Sequence, residues 1–295
     1  METAASTFIL SQKIKDDVFD IDLIPQYILN LQVGNDSFRF CITDSVFKKC
    51  LWLEDYNFPT VFSAEQMIEQ LNVIYDEHQI LRAGFWKEVK LSFRNQYFTL
   101  IPEILFRPEN LSDYLKISSG VFFPNQDITY YHHANSEFVN VFLAENKLQN
   151  WFRAAYPLRE LVMLHQNSAF MEGLLHQKNF LPEKIMYISL EKSHMTIAVM
   201  RDRKIEYCNT FLYHNEQDFV YFVMLTMDGL QLSPDDCKVI LYGEIVEDSA
   251  IFNNIFKYVR YVALGSRPTN LKYSYRFDDV LDHRYFDLYN IYLCV

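Results

Sequence analysis

Residues 31–44 read LQVGNDSFRFCITD, which is the pattern of a tight β-hairpin. The tripeptide Gly34-Asn35-Asp36 supplies turn chemistry, and apolar residues alternate along the chain before and after it. Side chains on a strand point alternately to opposite faces, so this alternation predicts two strands that pair across the turn. A glycine turn so early in the chain raises the question of whether it binds a ligand.

The elements predicted around this hairpin occur in an order that repeats. Three meandering strands, a helix, a strand and a further helix are expected in the first half and again after residue 183. The strands are expected at about 27–33, 37–44, 46–54, 86–93, 96–101, 127–133, 137–144, 159–164, 184–190, 194–201, 204–212, 238–242 and 258–264. The helices are expected after Ser63, which is a plausible N-cap, and at about 146–155, 166–177, 215–230 and 247–257.

Short strands that alternate with helices in both halves predict an α/β fold with mixed sheets flanked by helices. A chain of 295 residues is long enough for about two domains. We expect residues 1–20 to be a flexible lead-in, residues 21–180 to form the first half and residues 181–295 to form the second.

Composition argues against several classes of function. The formal net charge is −11 and no basic stripe compensates it locally, so we expect no binding of nucleic acid. The five cysteines are scattered and lack CxxC spacing, which indicates reduced, mostly buried thiols in a cytoplasmic protein. The first residues lack the pattern of a signal peptide, and no apolar run approaches the roughly 18 residues of a transmembrane segment.

Glycine is scarce in this chain. There are only seven glycines, and none lies close to another in sequence. Loops that cradle phosphate need grouped glycines, because the backbone must approach the ligand closely. The motifs GxxxxGK[ST] and GxGxxG are both absent, so we expect neither a Walker ATPase nor a Rossmann enzyme.

Six stretches of the chain carry a resemblance to known proteins. They are LWLEDYNF (51–58), FWKEVKLSF (85–93), FTLIPEILF (98–106), HQNSAFMEGLL (165–175), LYGEIVEDS (241–249) and HRYFDLYNIYLC (283–294). These stretches resemble a family of uncharacterised Bacteroidetes proteins, domains of unknown function assigned to the actin-like ATPase fold. The repeated order of elements is similar to the duplicated, ribonuclease H-like plan of that superfamily, which includes actin, sugar kinases and chaperone ATPase domains.

The middle of the chain resembles, more weakly, the actin-like cytoplasmic proteins of type IV pilus and type II secretion assembly. That resemblance implies a small inserted subdomain in the first half, at about residues 102–155. What the resemblances imply is a fold and not an activity.

The resemblance to the superfamily also implies three turns that bind nucleotide, and each is altered in this chain. At the first turn Gln32-Val33-Gly34 matches Asp-x-Gly, so a neutral amide replaces the carboxylate that organises Mg²⁺. At the second turn Glu191 stands near the position of another Asp-x-Gly. At the third turn Gly243 is kept, but Glu244 replaces a second glycine and its carboxylate would repel a polyphosphate. We therefore predict a degenerate site with no catalytic residue, no cofactor and no metal.

Two groups of histidine and acidic residues have the composition of a metal site. His132 and His133 are adjacent on a predicted strand, so they point to opposite faces and are expected at an edge or surface. On a helix, His283 would be the i,i+4 neighbour of both Asp279 and Asp287, an arrangement that suits a divalent ion. We favour a solvated helix face with acidic residues, which include Asp278 and Asp282.

His165, Ser168 and Glu172 have the residue types of a hydrolase, but they lack the sequence context of a nucleophile elbow. We expect His165 near a helix N-terminus. The last segment, DVLDHRYFDLYNIYLCV, places apolar residues at helical spacing and predicts a buried helix that closes the fold. The alternative is that part of this segment docks a partner.

These observations favour a non-catalytic scaffold or interaction module with an unidentified protein partner. A homodimer is one arrangement that they leave open. One alternative is a divergent ATPase or small-molecule kinase that binds ATP-Mg²⁺ in an inter-domain cleft and uses Glu191 and Glu244 to organise the metal. Another is a cytosolic adaptor of a membrane-associated assembly. The scarcity of glycine favours the scaffold over the enzyme, and nothing in the sequence separates the scaffold from the adaptor.

Overall fold

The computed structural model describes residues 8–61, 63–134, 136–177 and 184–295. The strands are β1 (Ile9–Lys15), β2 (Tyr27–Gly34), β3 (Ser37–Asp44), β4 (Lys49–Asn57), β5 (Glu88–Arg94), β6 (Phe98–Pro102), β7 (Ile128–His132), β8 (Phe138–Leu143), β9 (Leu161–His165), β10 (Ile185–Leu190), β11 (His194–Arg201), β12 (Lys204–Leu212), β13 (Lys238–Gly243) and β14 (Tyr261–Leu264). The α-helices are α1 (Ala64–Glu77), α2 (Leu111–Ser119), α3 (Asn146–Ala155), α4 (Gln166–Leu175), α5 (Glu216–Gly229), α6 (Ala250–Ile255) and α7 (Phe286–Asn290).

The described residues form two compact units. The first unit lies within Met1–Ala169 and also includes Leu271–Asp278 and Leu288–Val295. The second unit lies within Phe170–Asn270 and also includes Asp279–Asp287. The boundary expected from the sequence instead assigns all of residues 181–295 to the second half. The C-terminal segments differ from that expectation because they pack with the first unit.

The main sheets of the two units follow the same plan. The first has the strand order β1-β4-β3-β2-β5-β9, and the second has the order β12-β11-β10-β13-β14. In each, an antiparallel meander (β2–β3–β4 or β10–β11–β12) continues into strands that run parallel to its first strand. The predicted α/β fold with mixed sheets is therefore confirmed. A third sheet, in the first unit, is antiparallel with the order β6-β8-β7.

The opening stretch forms the hairpin that its sequence predicts. Leu31 pairs with Phe40 and Val33 with Phe38, and all four side chains are buried. The opposite face of the hairpin is also buried, although it carries Gln32 and other polar side chains. Both faces of these two strands are therefore covered by protein.

Helix α1 covers the apolar face of this hairpin. Ser63 caps it by accepting a hydrogen bond from the N–H of Gln66 at 3.3 Å, as its position in the sequence predicts. The helix buries Met67, Leu71, Ile74 and Tyr75 on one side, and burying each such side chain contributes roughly 1.5–3 kcal/mol. The aromatic rings of Tyr75 on α1 and Phe152 on α3 pack against the ring of Phe38.

Two expectations about the ends of the chain are corrected. Residues 9–15 belong to β1, an edge strand that pairs with β4, and they are not a flexible lead-in, while residues 1–7 lie outside the described ranges. The predicted C-terminal helix is confined to α7 and a following 3-10 turn, Ile291–Leu293. Its apolar residues from Tyr285 to Tyr292 are buried as predicted, whereas Leu281 is exposed.

A buried lysine holds the final segment in the first unit. The side chain of Lys90 is 1% exposed, and its ammonium group donates hydrogen bonds to the carbonyl of Tyr292 at 3.0 Å and to that of Cys294. It also lies 3.1 Å from the carboxylate of Glu88. A buried charge needs such partners, so Lys90 ties the segment to β5.

Candidate functional site

The first predicted nucleotide turn ends β2. Gln32 is 1% exposed, and its register partners are Arg39 on β3 and Ser92 on β5. Two residues later, a Cβ at Gly34 would lie 3.0 Å from the hydroxyl of Ser37, so this turn is closely packed. The side-chain amide of Gln32 therefore lies on a buried face of the sheet, next to Arg39 on the neighbouring strand.

The surroundings of this turn include a buried ion pair and a cavity. The Nε of Arg39 lies 3.0 Å from Oδ1 of Asp55, and both side chains are at most 5% exposed. A cavity of about 310 Å³ lies between the turn (Gly34 and Asn35) and the start of α1, and Glu145 contributes to its wall. This acidic residue directly precedes α3 and does not belong to β2.

The second predicted turn connects β10 and β11. The N–H of Glu191 donates to the carbonyl of His194 at 2.9 Å, and the Glu191 carboxylate lies 3.1 Å from Nε2 of the same histidine. The hydroxyl of Tyr213, which follows β12, donates to the backbone carbonyl of Glu191. Both ends of this turn are therefore fixed by hydrogen bonds.

The third predicted turn packs directly against the second. Gly243 ends β13 in register with Leu190 at the end of β10, and its φ of 88° is in the left-handed region. A Cβ at this position would lie only 2.1 Å from the Leu190 carbonyl oxygen, so only glycine fits. The next residue, Glu244, donates its N–H to that same carbonyl at 2.8 Å.

The carboxylates of these two turns both influence Tyr213. Burial, followed by the negative charges of Glu244 and Glu191, raises the pKa of Tyr213 to about 12. The arrangement therefore places two acidic side chains around one partly buried phenol. It can accept hydrogen bonds and attract a cation, and it disfavours an anion.

His283 braces the third turn, a role that its sequence does not reveal. Its backbone carbonyl accepts the N–H of Gly243 at 2.9 Å, and its Nε2 donates to the carbonyl of Ile245 at 2.7 Å. Its neighbour Asp282 forms an ion pair with Arg267 at 2.9 Å. The solvated helix face expected around His283 is wrong, because residues 278–283 lie before α7 and are not helical, and His283 is only 3% exposed. The alternative, helical i,i+4 pairs of His283 with Asp279 and Asp287, is wrong for the same reason. Across the described ranges, no three His, Cys, Asp or Glu side chains are arranged to hold a metal ion.

The possible hydrolase residues have structural partners. Ser168 is fully buried, and its hydroxyl accepts a hydrogen bond from Asn140 at 2.9 Å and lies 3.2 Å from Nε2 of His133. His165 is the last residue of β9 and directly precedes α4, near a helix N-terminus as expected, and its Nδ1 accepts the N–H of Asn167 at 3.2 Å. The expectation of a surface position is wrong for His133, which is 3% exposed because Ser168 and neighbouring rings cover it.

Comparisons with known proteins identify a family and a fold. The model of a family described as "Protein of unknown function (DUF3822)" matches residues 16–262. The chain is similar to a Bacteroides thetaiotaomicron protein described as having an actin-like ATPase fold and unknown function, at 18% identity and a TM-score of 0.74, over 84% of this chain and 94% of that one. No curated protein matches the chain significantly.

Two further solved structures are similar at lower identity. One is a PilM–PilN type IV pilus biogenesis complex, at 12% identity and a TM-score of 0.57, over 90% of this chain and 98% of that one. The other is the ethanolamine utilization protein EutJ from Carboxydothermus hydrogenoformans, at 9% identity and a TM-score of 0.52, over 96% and 93%. At such identities the likeness shows the fold alone. Among the described helices, none has the length and apolar character needed to cross a bilayer.

Proposed function

This chain belongs to the DUF3822 family and has an actin-like ATPase fold, and from that premise we propose that it is a non-catalytic scaffold or interaction module. The observation that carries the proposal is the pair of carboxylates, Glu191 and Glu244, around Tyr213 at the second and third turns. Both turns would have to approach the phosphates of a nucleotide. Two negative charges there oppose a polyphosphate.

The first turn supports the same conclusion. Mg²⁺ bound to a nucleotide takes its protein ligands from one or two carboxylates, directly or through water, so a carboxylate at this turn would position the metal. Gln32 supplies a neutral amide that is buried beside Arg39, and the Asp55 carboxylate nearby is already paired with that arginine. The residues present at this turn therefore do not fit ATP-Mg²⁺.

Isothermal titration calorimetry of the full chain with ATP and ADP, each with excess Mg²⁺, tests the proposal. We expect no saturable heat at ligand concentrations up to about 1 mM, which corresponds to a binding free energy weaker than about −4 kcal/mol. Micromolar affinity would refute the degenerate site and favour the divergent ATPase. The Glu244→Gly variant restores a glycine pair and is the matched comparison, since any residual affinity should increase in it.

Exposed apolar side chains support an interaction role. Ile104, Ile117 and Phe122 lie in the region that we propose is the inserted subdomain, and they are 81%, 84% and 67% exposed. Large exposed apolar side chains that cluster on one part of a surface are typical of protein–protein contact sites. The PilM–PilN structure is a complex of a similar fold with a second protein, which favours the adaptor as the second candidate function.

Affinity purification of the tagged chain from native lysate, followed by mass spectrometry, tests this part of the proposal. We expect one partner, or a second copy of the chain, to be retained by the wild type and lost from the Ile104→Asp and Ile117→Asp variants. Tyr221→Asp, at a 60% exposed position of α5, is the matched control and should retain it. Retention by all variants would exclude this surface. The five free cysteines are consistent with the cytoplasmic location that we propose.

A further inference from the structure

The turn between β3 and β4 presents two apolar side chains to solvent. Val46 and Phe47 are 61% and 63% exposed. The turn is well ordered by hydrogen bonds, because Oδ1 of Asp44 accepts the N–H groups of Val46 and Phe47 at 2.8 and 3.0 Å. The hydroxyl of Ser45 donates to the carbonyl of Gln26 at 2.7 Å. We call residues 45–48 the β3–β4 tip.

Lysines surround this tip. Lys48 belongs to it, and the carbonyl of Lys48 accepts the N–H of Lys272 at 2.7 Å. The ammonium group of Lys87 donates to the hydroxyl of Ser45 at 3.0 Å. All three lysines are exposed, and none is ion-paired to a carboxylate of the described residues. Phe85, two residues before Lys87, adds a third exposed apolar side chain at 68%.

The acidic groups closest to the tip are mostly engaged elsewhere. Asp44 is buried and accepts hydrogen bonds from the tip backbone. Asp16 is ion-paired with Lys49 at 2.7 Å, and Asp17 with Arg276 at 3.0 Å. Asp20 and Asp22 lie at the flanking 3-10 turn and not on the tip itself. The exposed charged side chains on the tip and on the residues hydrogen-bonded to it are thus lysines, in a chain whose net charge is −11.

We propose that the β3–β4 tip docks on an anionic lipid surface, with Phe47 and Val46 entering the headgroup region and Lys48, Lys87 and Lys272 contacting lipid phosphates. A turn with two exposed apolar side chains offers much less area than a standard protein interface, which buries about 800 Å² on each partner. A bilayer needs only a few buried apolar groups, and each lysine near an anionic surface adds attraction. Gly34 lies at the opposite end of β2, so this surface is separate from the first predicted nucleotide turn.

Co-sedimentation of the full chain with vesicles tests the proposal. One set is phosphatidylcholine alone, and the other contains about one third phosphatidylglycerol. We expect at least tenfold stronger partitioning to the anionic vesicles and a loss of that preference in high salt. Lys87→Glu should weaken partitioning about fivefold or more, and Phe47→Ser by a similar factor. Tyr221→Ser, at a 60% exposed position of α5 outside the tip, is the control and should bind as the wild type does.

Three outcomes would overturn the proposal. The first is an absence of binding to anionic vesicles, and the second is wild-type partitioning of both Phe47→Ser and Lys87→Glu. The third is equally strong binding of an immobilised polyglutamate peptide that is insensitive to Phe47→Ser, which would assign the lysines to an acidic protein segment. Circular dichroism melting of each variant establishes that a loss of partitioning does not come from unfolding.

Discussion

Replacement of Glu54 by glutamine is predicted to remove a large part of the acid sensitivity of the first unit. Glu54 lies on β4 and its carboxylate is fully buried. It accepts hydrogen bonds from Nε1 of Trp52 at 2.8 Å and from the hydroxyl of Tyr56. The Nζ of Lys13 lies 3.1 Å away and Nε2 of His78 lies 3.3 Å away. The carboxylate is therefore paired on several sides.

The size of the effect follows from the pKa of this group. Burial alone would raise the pKa of Glu54, but hydrogen bonds from His78 and Tyr56, with the other partners, outweigh it and lower the pKa from 4.5 to about 2. The folded state therefore favours the ionised form, and the resulting stability is fully present above the unfolded value. It is lost as the pH falls from about 4.5 to about 2, and a difference of this size corresponds to about 3 kcal/mol.

Urea unfolding followed by tryptophan fluorescence measures the effect, because all three tryptophans lie in the first unit. The free-energy difference between the wild type and Glu54→Gln should shrink by about 3 kcal/mol between about pH 6 and pH 2, since a protonated glutamate is nearly isosteric with glutamine. A difference that stays constant over this range would refute the reasoning.

Glu65→Gln is the matched control. The hydrogen bond from Lys147 lowers the pKa of Glu65 to about 2 as well, but both side chains are more than half exposed. Solvent and salt screen such a pair, so its pH dependence should be small and should vanish in about 1 M NaCl, where the Debye length is only about 3 Å. The contribution of Glu54 should persist under the same conditions.

Three further predictions concern single contacts. Gly243→Ala should destabilise the second unit by at least about 3 kcal/mol in thermal melts, because its backbone is left-handed and the new Cβ would clash with the Leu190 carbonyl. Gly229→Ala is the control and should be neutral or slightly stabilising, since a Cβ there meets open space, and equal effects of the two variants would contradict the packing at Gly243. Glu244→Gln should lower the pKa of Tyr213 in a spectrophotometric titration referenced to Tyr213→Phe, and an unchanged pKa would separate the two side chains. Lys90→Met should lower the free energy of unfolding in urea by about 2–4 kcal/mol, because two buried carbonyls lose their hydrogen-bond donor. An unchanged free energy of unfolding would show that the ammonium group does not stabilise the C-terminal segment.

The parts of the fold that the sequence predicts are those that depend on neighbours along the chain. The hairpin at Gly34, the cap at Ser63 and the two meanders all follow from local turn chemistry and from a period of two or of 3.6 residues. The sequence does not predict strand β1, because it is an edge strand with mostly exposed side chains and its residues show little alternation of apolar and polar types.

The sequence predicts the candidate site only as separate turns. The packing of Gly243 against Leu190 requires the parallel pairing of β10 and β13, which join residues more than fifty positions apart in sequence. The role of His283 depends on the same pairing, and helical spacing misled the prediction there. Its carbonyl bonds to Gly243 and is not available to continue a helix toward Asp287.

The division of the C-terminal region between the two units has a consequence for the order of folding during synthesis. The chain leaves the first unit after residue 169, returns for 271–278, and returns again for 288–295. The buried ammonium of Lys90 and the carbonyls that satisfy it are made about two hundred residues apart. A ribosome adding roughly 5–20 residues per second therefore leaves that charge without these partners for about ten seconds or more. All of the second unit is synthesised before residues 288–295, which the first unit needs to complete its fold. The unit whose synthesis begins first is therefore the last to be completed.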